Sequence, residues 1–330
     1  MLAGMTAVVD PAQLTAVVNT GDDIVLHGLA ISPDLDTVTY TLAGAIDSET
    51  GWGRAGETWG AMAELRELSG GRLSWFSLGD QDLGTHLFRT SRRAEGATLS
   101  EITAEIVARW GLALRLLPMS DQRVSTRVTV TAAPVTGTGA ATPARPGGAG
   151  GAGEQRPGDP REIGFQEYFV GHRHAVPVQA VRLDGVEAAR PAPGVLEAIA
   201  GAHVVVICPS NPVVSIGPVL AVPGIGVAVA ARRPQVVAVS PIIAGRALKG
   251  PADRLMAELG HESSVVGVAR LWAPYAATLV IDVADAGRRG EVEAEGVRCV
   301  VAPTVMSGPA EAAALARTVL DAAGGRRRAS

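Results

Sequence analysis

Four short runs rich in Val and Ile, at residues 203–208, 235–239, 278–283 and 297–301, alternate with helical stretches in the C-terminal half of the chain. Apolar runs of this length carry no polar face, so both faces must be buried. That is the mark of a parallel sheet covered by helices on both sides. The helices between and around them are expected at 194–200, 251–259, 263–272 and 309–322. Pro251 and Pro309 suit a first helical turn, where the absent N–H would have no partner in any case. The fold class is therefore α/β.

The N-terminal third reads differently. An apolar strand at residues 15–18 is followed, after residue 55, by a helical pattern that runs to about residue 117. Thr98 and Glu101 stand at capping-box spacing. Ile102, Ile106, Val107 and Trp110 then fall on one helical face, and Ala61, Leu65 and Leu68 do so in the helix before. The organisation expected is an α/β core made of residues 1–54 and 126–330, interrupted by a mainly helical insertion at 55–125. Residues 134–160 are rich in Gly and Pro and too poor in apolar surface to offset their ordering entropy, so a disordered insert is expected there. It would lie between a strand at 127–132 and another from about 163 to 170.

At 330 residues the chain can bury a full core as one large domain or two small ones. With 47 % hydrophobic and 19 % charged residues it is globular rather than disordered. A net charge of −4 argues against a general nucleic-acid binder. The Arg326-Arg327-Arg328 run reads as a solvated tail. Cys208 and Cys299 each sit in an apolar run and lack zinc-site spacing, which suggests reduced, buried thiols and a cytoplasmic protein. No apolar run reaches the roughly 18 residues needed to span a bilayer, so no membrane partner is expected. The first five residues have no basic signal-peptide region.

The densest chemistry lies just after the first strand. Asp22, Asp23, Asp34 and Asp36 place four carboxylates within fifteen residues, interrupted by Gly21 and Pro33. Carboxylates so close repel unless a cation or proton lies among them. Hard divalent cations take such oxygen ligands and bridge to phosphates, and loops at the carboxyl ends of strands are where open α/β sheets bind ligands. Helix capping and turn formation would use the same residues. Ser210-Asn211-Pro212 and Ser240-Pro241 end two later strands, and either can hydrogen-bond a phosphate or cap the next helix. Lys249, the only lysine in the chain, stands beside Gly250. His172 and His174 would share a face if the segment were a strand. Trp52, Trp59 and Trp75 are better suited to core than to stacking on a ligand. No P-loop, G-x-S-x-G elbow or intact G-x-G-x-x-G is present.

Taken together, these segments resemble the 2-phospho-L-lactate transferase family of coenzyme F420 biosynthesis, and most closely its actinobacterial, phosphoenolpyruvate-type members. The resemblance is carried by Asn19-Thr20-Gly21-Asp22-Asp23, His27-Gly28-Leu29, Ser32-Pro33-Asp34-Leu35-Asp36-Thr37 and Gly51-Trp52-Gly53. It continues through Glu57-Thr58-Trp59, Met119-Ser120-Asp121, Pro209-Ser210-Asn211-Pro212, Ser215-Ile216-Gly217, Ser240-Pro241-Ile242-Ile243 and Lys249-Gly250. It covers nearly the whole chain outside the Gly/Pro insert.

The resemblance implies a Rossmann-like core, a homodimer and Mg²⁺. The implied reaction transfers a phosphoenolpyruvyl or 2-phospho-L-lactyl group from a guanosine diphospho donor to a hydroxyl of FO, the deazaflavin precursor, with release of GMP. Asp22, Asp23, Asp34 and Asp36 would hold the metal. Asp22, Asp23, Asp36 or Asp121 would do the catalytic work, one of them taking the hydroxyl proton. Asn19, Gly21, Ser210, Asn211, Ser215, Gly217, Ser240 and Lys249 would line the substrates, with Thr37, Tyr40 and Trp59 near FO. Family members open with a strand and a Gly-Gly-x-Gly-Gly-Ala-Arg loop that the first residues here do not contain. A start placed too far downstream is the favoured reading, and a gap in the parallel sheet is expected. The alternatives are an inactive truncated homologue and a nucleotide-sugar-binding regulator of the gluconeogenesis-factor type.

Overall fold

The computed structural model describes residues 1–131 and 159–324. Most of the insert expected at 134–160, and the Arg326-Arg327-Arg328 run, lie outside them. The chain begins with α1 (Leu2–Thr6), β1 (Thr15–Val18), the hairpin β2 (Ile24–Leu26) and β3 (Leu29–Ile31), and α2 (Pro33–Leu42). Three helices follow: α3 (Gly60–Ser69), α4 (Asp80–Ala94) and α5 (Leu99–Arg109). Next come β4 (Arg115–Pro118), β5 (Ser125–Thr131), β6 (Pro160–Gly164), β7 (Val178–Asp184) and α6 (Val195–Gly201). The C-terminal half holds β8 (Val205–Ile207), α7 (Gly217–Ala221), α8 (Ile225–Ala231), β9 (Val236–Val239), β10 (Ile242–Ile243) and β11 (Arg246–Ala247). It closes with α9 (Ala252–Glu258), α10 (Val265–Trp272), β12 (Thr278–Ile281), α11 (Arg289–Ala294), β13 (Arg298–Val301) and α12 (Pro309–Gly324).

The four predicted C-terminal strands form one parallel sheet in the order β13-β12-β9-β8. The two central strands, β9 and β12, are buried along their whole length, which is why they are Val, Ile, Leu and Ala with one Thr. Side chains alternate between faces as the strand pleat requires. Val236, Ala238, Leu279 and Ile281 join Val265, Val268 and Trp272 of α10. Val237, Val239 and Val280 instead meet Met5 of α1 and Leu315, Ala316 and Val319 of α12. Ser264 caps α10, its hydroxyl accepting from the N–H groups of Val266 and Gly267 at 3.2 Å each.

β1 pairs in parallel with β4. Among the described residues no strand pairing joins this pair to the four-stranded sheet, so the parallel core consists of two sheets. In the β2–β3 hairpin, His27 and Gly28 take φ of 52° and 81°, the double left-handed turn that matches strand twist in a two-residue loop.

The capping box at Thr98 is formed, and Ile102, Ile106 and Val107 of α5 are buried. The apolar face expected for α3 is buried only in part: Leu65 packs against the cluster that holds Met62, whereas Leu68 is 77 % exposed. Trp52, Trp59 and Trp75 lie at the surface rather than in a core. The strand expected from 163 to 170 ends at Gly164, and Glu167–Gly171 forms a π-type turn. Tertiary contacts decide this: Tyr168 is fully buried and its hydroxyl accepts from Arg254 Nη2 at 2.6 Å. The same guanidinium donates to the carbonyl of His174. His172 and His174 therefore do not share a strand face; Arg173 and His174 sit in a turn with positive φ. No single helix among the described residues is long and apolar enough to cross a membrane.

Candidate active site

The loop after β1 is tied to distant parts of the chain. The amide of Asn19 donates to Asp34 Oδ2 at 3.0 Å and to the carbonyl of Val214 at 3.4 Å, and its own oxygen accepts from Gly21 N at 2.8 Å. The carbonyl of Gly21 accepts from Thr126 N at 2.7 Å. A Cβ on Gly21 would lie 2.7 Å from Thr126 Oγ1 and 3.0 Å from Asn19 Oδ1, so this position admits only glycine without a shift. The Asn19–Val214 contact brings the carboxyl ends of β1 and β8 together, where an open parallel sheet binds ligands.

The four aspartates divide into three arrangements. Asp22 and Asp34 form an electrostatic pair. Burial pushes the Asp22 carboxyl well above the usual range, and the Asp34 charge adds to it. Burial raises Asp34 too, against the hydrogen bond from Asn19. Asp23 accepts from Ser32 Oγ at 2.7 Å, and burial lifts it to about 7 despite that bond. Asp36 is separate. It is ion-paired to the enclosed Arg89 of α4, with His86 Nδ1 3.7 Å from its second oxygen. Burial lowers His86 to about 4, so the ring is neutral near pH 7.

This division sets Asp36 apart from the other three aspartates of the expected metal set. Asp36 already has its cation in Arg89, and no three Asp, Glu, His or Cys side chains among the described residues converge as a ready metal cluster. The pair Asp22 and Asp34, with Asp23 beside it, still fits Mg²⁺. That ion is commonly held by one or two carboxylates plus substrate phosphates and water. Asp23 Oδ1 is buried with no hydrogen-bond partner, as expected of an oxygen that awaits a cation or a proton, while the Asp22 carboxyl is steadied by Thr126 and Asn19.

Asp121 is otherwise occupied. Its two oxygens accept from the backbone N and the hydroxyl of Ser100 at 2.7 and 2.9 Å, so it anchors the first turn of α5. Ser210, Asn211, Ser215 and Gly217 stay together on the turn after β8. Asn211 caps that turn, its oxygen accepting from Val213 N at 2.9 Å. A Cβ on Gly217 would meet the Pro212 carbonyl at 2.9 Å. Ser240 is buried and spends its one hydroxyl proton within its own turn, donating to Ile242 O at 2.9 Å and accepting from Ile242 N at 3.1 Å. Lys249 is exposed after β11, its Nζ 3.4 Å from where a Cβ of Gly51 would stand.

Thr37 lies half-buried on α2, Trp59 is 46 % exposed at the start of α3, and Tyr40 is in the core. The Tyr40 hydroxyl bonds Thr85 Oγ1 at 2.9 Å, and its ring meets Trp110 edge-on. The sequence reading gave Arg89, His86 and Asp82 no role at the site. Asp82 is raised to about 6, by burial first, and its Oδ1 is unpartnered. A residue pair 53 positions apart, such as Asp36 and Arg89, leaves no local pattern to find.

Parallel sheets with acidic loops at their carboxyl ends suit a transferase acting on phosphate-bearing substrates. The chain belongs to the 2-phospho-L-lactate transferase family, whose family model (2-phospho-L-lactate transferase CofD) matches residues 1–301. It is 44 % identical over 321 residues to a phosphoenolpyruvate transferase of Kitasatospora aureofaciens, covering 97 % of this chain and 92 % of that one. To the phosphoenolpyruvate transferase of Mycolicibacterium smegmatis it is 40 % identical over 312 residues, covering 94 % and 88 %. Its fold is similar to the crystal structure of a UPF0052-family protein from Bacillus halodurans, with TM-score 0.51 at 16 % identity over 96 % of each chain. The protein is thus an enzyme that transfers a phosphoenolpyruvyl or phospholactyl group in coenzyme F420 biosynthesis.

Proposed function

We propose that the enzyme moves a phosphoenolpyruvyl group from a guanosine diphospho donor to a hydroxyl of FO, releasing GMP and forming dehydro-F420-0. It works in the cytoplasm as a homodimer with Mg²⁺. The enolpyruvyl rather than the lactyl donor is favoured by the relatives named phosphoenolpyruvate transferase. The observation that carries the site assignment is the buried, unpartnered carboxylate oxygen of Asp23 beside the buried Asp22 and Asp34 pair, on a loop fixed against the turn after β8.

Transfer of a substituted phosphoryl group needs charge neutralised and the attacking and leaving oxygens held in line, with little covalent work from the protein. Asp22 and Asp34 would hold the metal, which supplies positive charge against the diphosphate when bound. Asp23, with a pKa of about 7, is suited to accept the FO hydroxyl proton: it is ionised in a useful fraction at neutral pH and basic enough to take the proton. Ser32 orients its second oxygen. The turn formed by Ser210, Asn211, Ser215 and Gly217 would receive the guanosine diphosphate side, since it abuts the acidic loop through Asn19 and Val214.

The test is a mass-spectrometric transfer assay with FO, the enolpyruvyl-diphosphoguanosine donor and Mg²⁺, and the same assay with the lactyl donor. The expected result is FO enlarged by a phosphoenolpyruvyl group, stoichiometric GMP, and loss of both without Mg²⁺. Product from the lactyl donor alone would overturn the enolpyruvyl assignment. No product from either donor with folded enzyme would overturn the function.

A further inference from the structure

Two hollows, both open to solvent, meet at Asp23. The first encloses about 340 Å³ and is lined by Asp23 to Val25, by Arg93 and Leu99, and by Gln122 to Val124. Arg93 stands in the last turn of α4, and Leu99 is the first residue of α5. The second, of about 290 Å³, is lined by Gly21 to Ile24, by Arg123 and by Ser125 to Arg127. Asp23, Ile24 and Arg123 belong to both.

A transfer between two substrates needs two approaches to one point. In an in-line displacement at phosphorus the attacking and leaving oxygens stand on opposite sides of the atom, so acceptor and leaving group come from different directions. The second hollow is on the donor's side. Gly21, on its wall, packs toward the turn after β8: a Cβ there would stand 3.4 Å from Pro218 Cβ, and Asn19, two residues before, donates to the Val214 carbonyl. The first hollow presents Asp23 but none of the residues assigned above to the metal or to the guanosine diphosphate.

The walls of the first hollow suit a flat molecule with an apolar face and a hydrogen-bonding edge. Leu99 and Val124 are almost fully buried and make its floor, while Val25 is 57 % exposed at its rim. Among the described residues Arg93 makes no hydrogen bond or ion pair, whereas Arg92 beside it is held by Glu95 and Glu105. A solvated arginine alone would carry no meaning, but this one lines the same hollow as Asp23. Guanidinium planes stack on aromatic rings and donate to oxygens at their edges.

We infer that the first hollow is the acceptor chamber, and that Arg93 binds the planar ring of FO there while Asp23 meets the hydroxyl that attacks. The inference rests on the proposed function for the identity of the acceptor. It makes Arg93 a substrate-binding residue specific to the acceptor, with no part in holding the donor.

The experiment compares wild type with Arg93→Gln and Val25→Glu. Both positions are exposed, so the fold should persist, which circular dichroism and melting check. FO binding is read from the fluorescence of FO itself, GDP binding with Mg²⁺ by calorimetry, and KM for each substrate in the transfer assay. Loss of a stacked guanidinium corresponds to about a three- to thirtyfold loss of affinity. Arg93→Gln should weaken FO binding and raise the KM for FO by that factor, with GDP binding and donor KM unchanged. Val25→Glu, which puts a charge on the apolar rim, should weaken FO in the same selective way. Unchanged FO affinity in Arg93→Gln, with wild type active, would overturn the inference and leave the function standing. A change in GDP binding or donor KM in place of FO would overturn it too, since the hollow would then serve the donor. If folded wild type neither binds nor converts FO, the proposed function falls and this inference falls with it.

Discussion

Arg89 and Asp36 are the perturbation with the clearest expected magnitude. Their side chains are 2 % and 8 % exposed, and the pair bridges α4 to α2 beneath the acidic loop. Changing Arg89 to Met keeps the bulk and deletes the charge. Asp36 then has only the neutral His86 nearby, 3.7 Å away, and must either stay ionised without a cation or take up a proton. Removing one partner of a buried pair costs roughly 3–5 kcal/mol. Against a total stability of about 5–15 kcal/mol, that is a large fraction. Asp36→Asn should cost a similar amount, because Arg89 then keeps only long contacts to uncharged groups, the Ala30 carbonyl at 3.4 Å and His86 Nδ1 at 3.3 Å. The double variant removes both charges together. It should recover at least about 2 kcal/mol relative to the sum of the single changes, the coupling expected of contacting charged residues. Urea unfolding followed by circular dichroism and tryptophan fluorescence gives the three free energies, and urea leaves ionic strength unchanged. Single variants each costing under about 1 kcal/mol, or an additive double variant, would refute the reasoning that this pair holds the insertion to the loop.

Three further outcomes are expected. Asp23→Asn should lower kcat/KM by at least about a hundredfold and abolish an acid limb centred near pH 7, below which the wild-type base is protonated; a limb that survives in the variant would assign the base elsewhere. The stability effect of Asp23 has the opposite sign to activity. Its folded pKa is raised, so the folded state binds the extra proton between about pH 4 and 7 and is destabilised as pH rises through that window. Metal-free Asp23→Asn should therefore melt above wild type at pH 8, which a thermal scan of the two proteins checks. Gly21→Ala should cost about 1–3 kcal/mol by forcing Thr126 and Asn19 apart and should reduce turnover, read by melting and the transfer assay. Ser240→Ala should leave donor KM unchanged, since its hydroxyl is spent inside the turn before Ile242; a raised KM would return it to the substrate site.

The C-terminal sheet was legible because both faces of β9 and β12 are buried, and burial on both faces writes itself into the sequence as unbroken Val and Ile. Strand ends were placed one or two residues too generously, where the last residues already turn outward. The segment after Gly164 was misread for a physical reason. Its conformation is set by Arg254, some 86 positions away, which bonds Tyr168 and draws the chain into a turn. The acidic loop was legible as a concentration of carboxylates, but its division was not. Which aspartate meets Asn19, Ser32 or Arg89 depends on how α2 and α4 pack, and Arg89 sits in a helix whose own pattern gave no reason to single it out. The same limit explains Asp121: a carboxylate that anchors a neighbouring helix and one that takes a proton look alike until Ser100 is seen against it.

The isolated amine of Lys249, resting over the turn at Gly51, has a practical consequence. Because no other residue of the chain carries a side-chain amine, a dye that reacts with lysine marks a single internal position without engineered cysteines. That position lies where the C-terminal half meets the segment leading into the helices around Trp52 and Trp59. Energy transfer from those exposed indoles to a dye on Lys249 would report, in real time, whether the two halves draw together as substrates arrive.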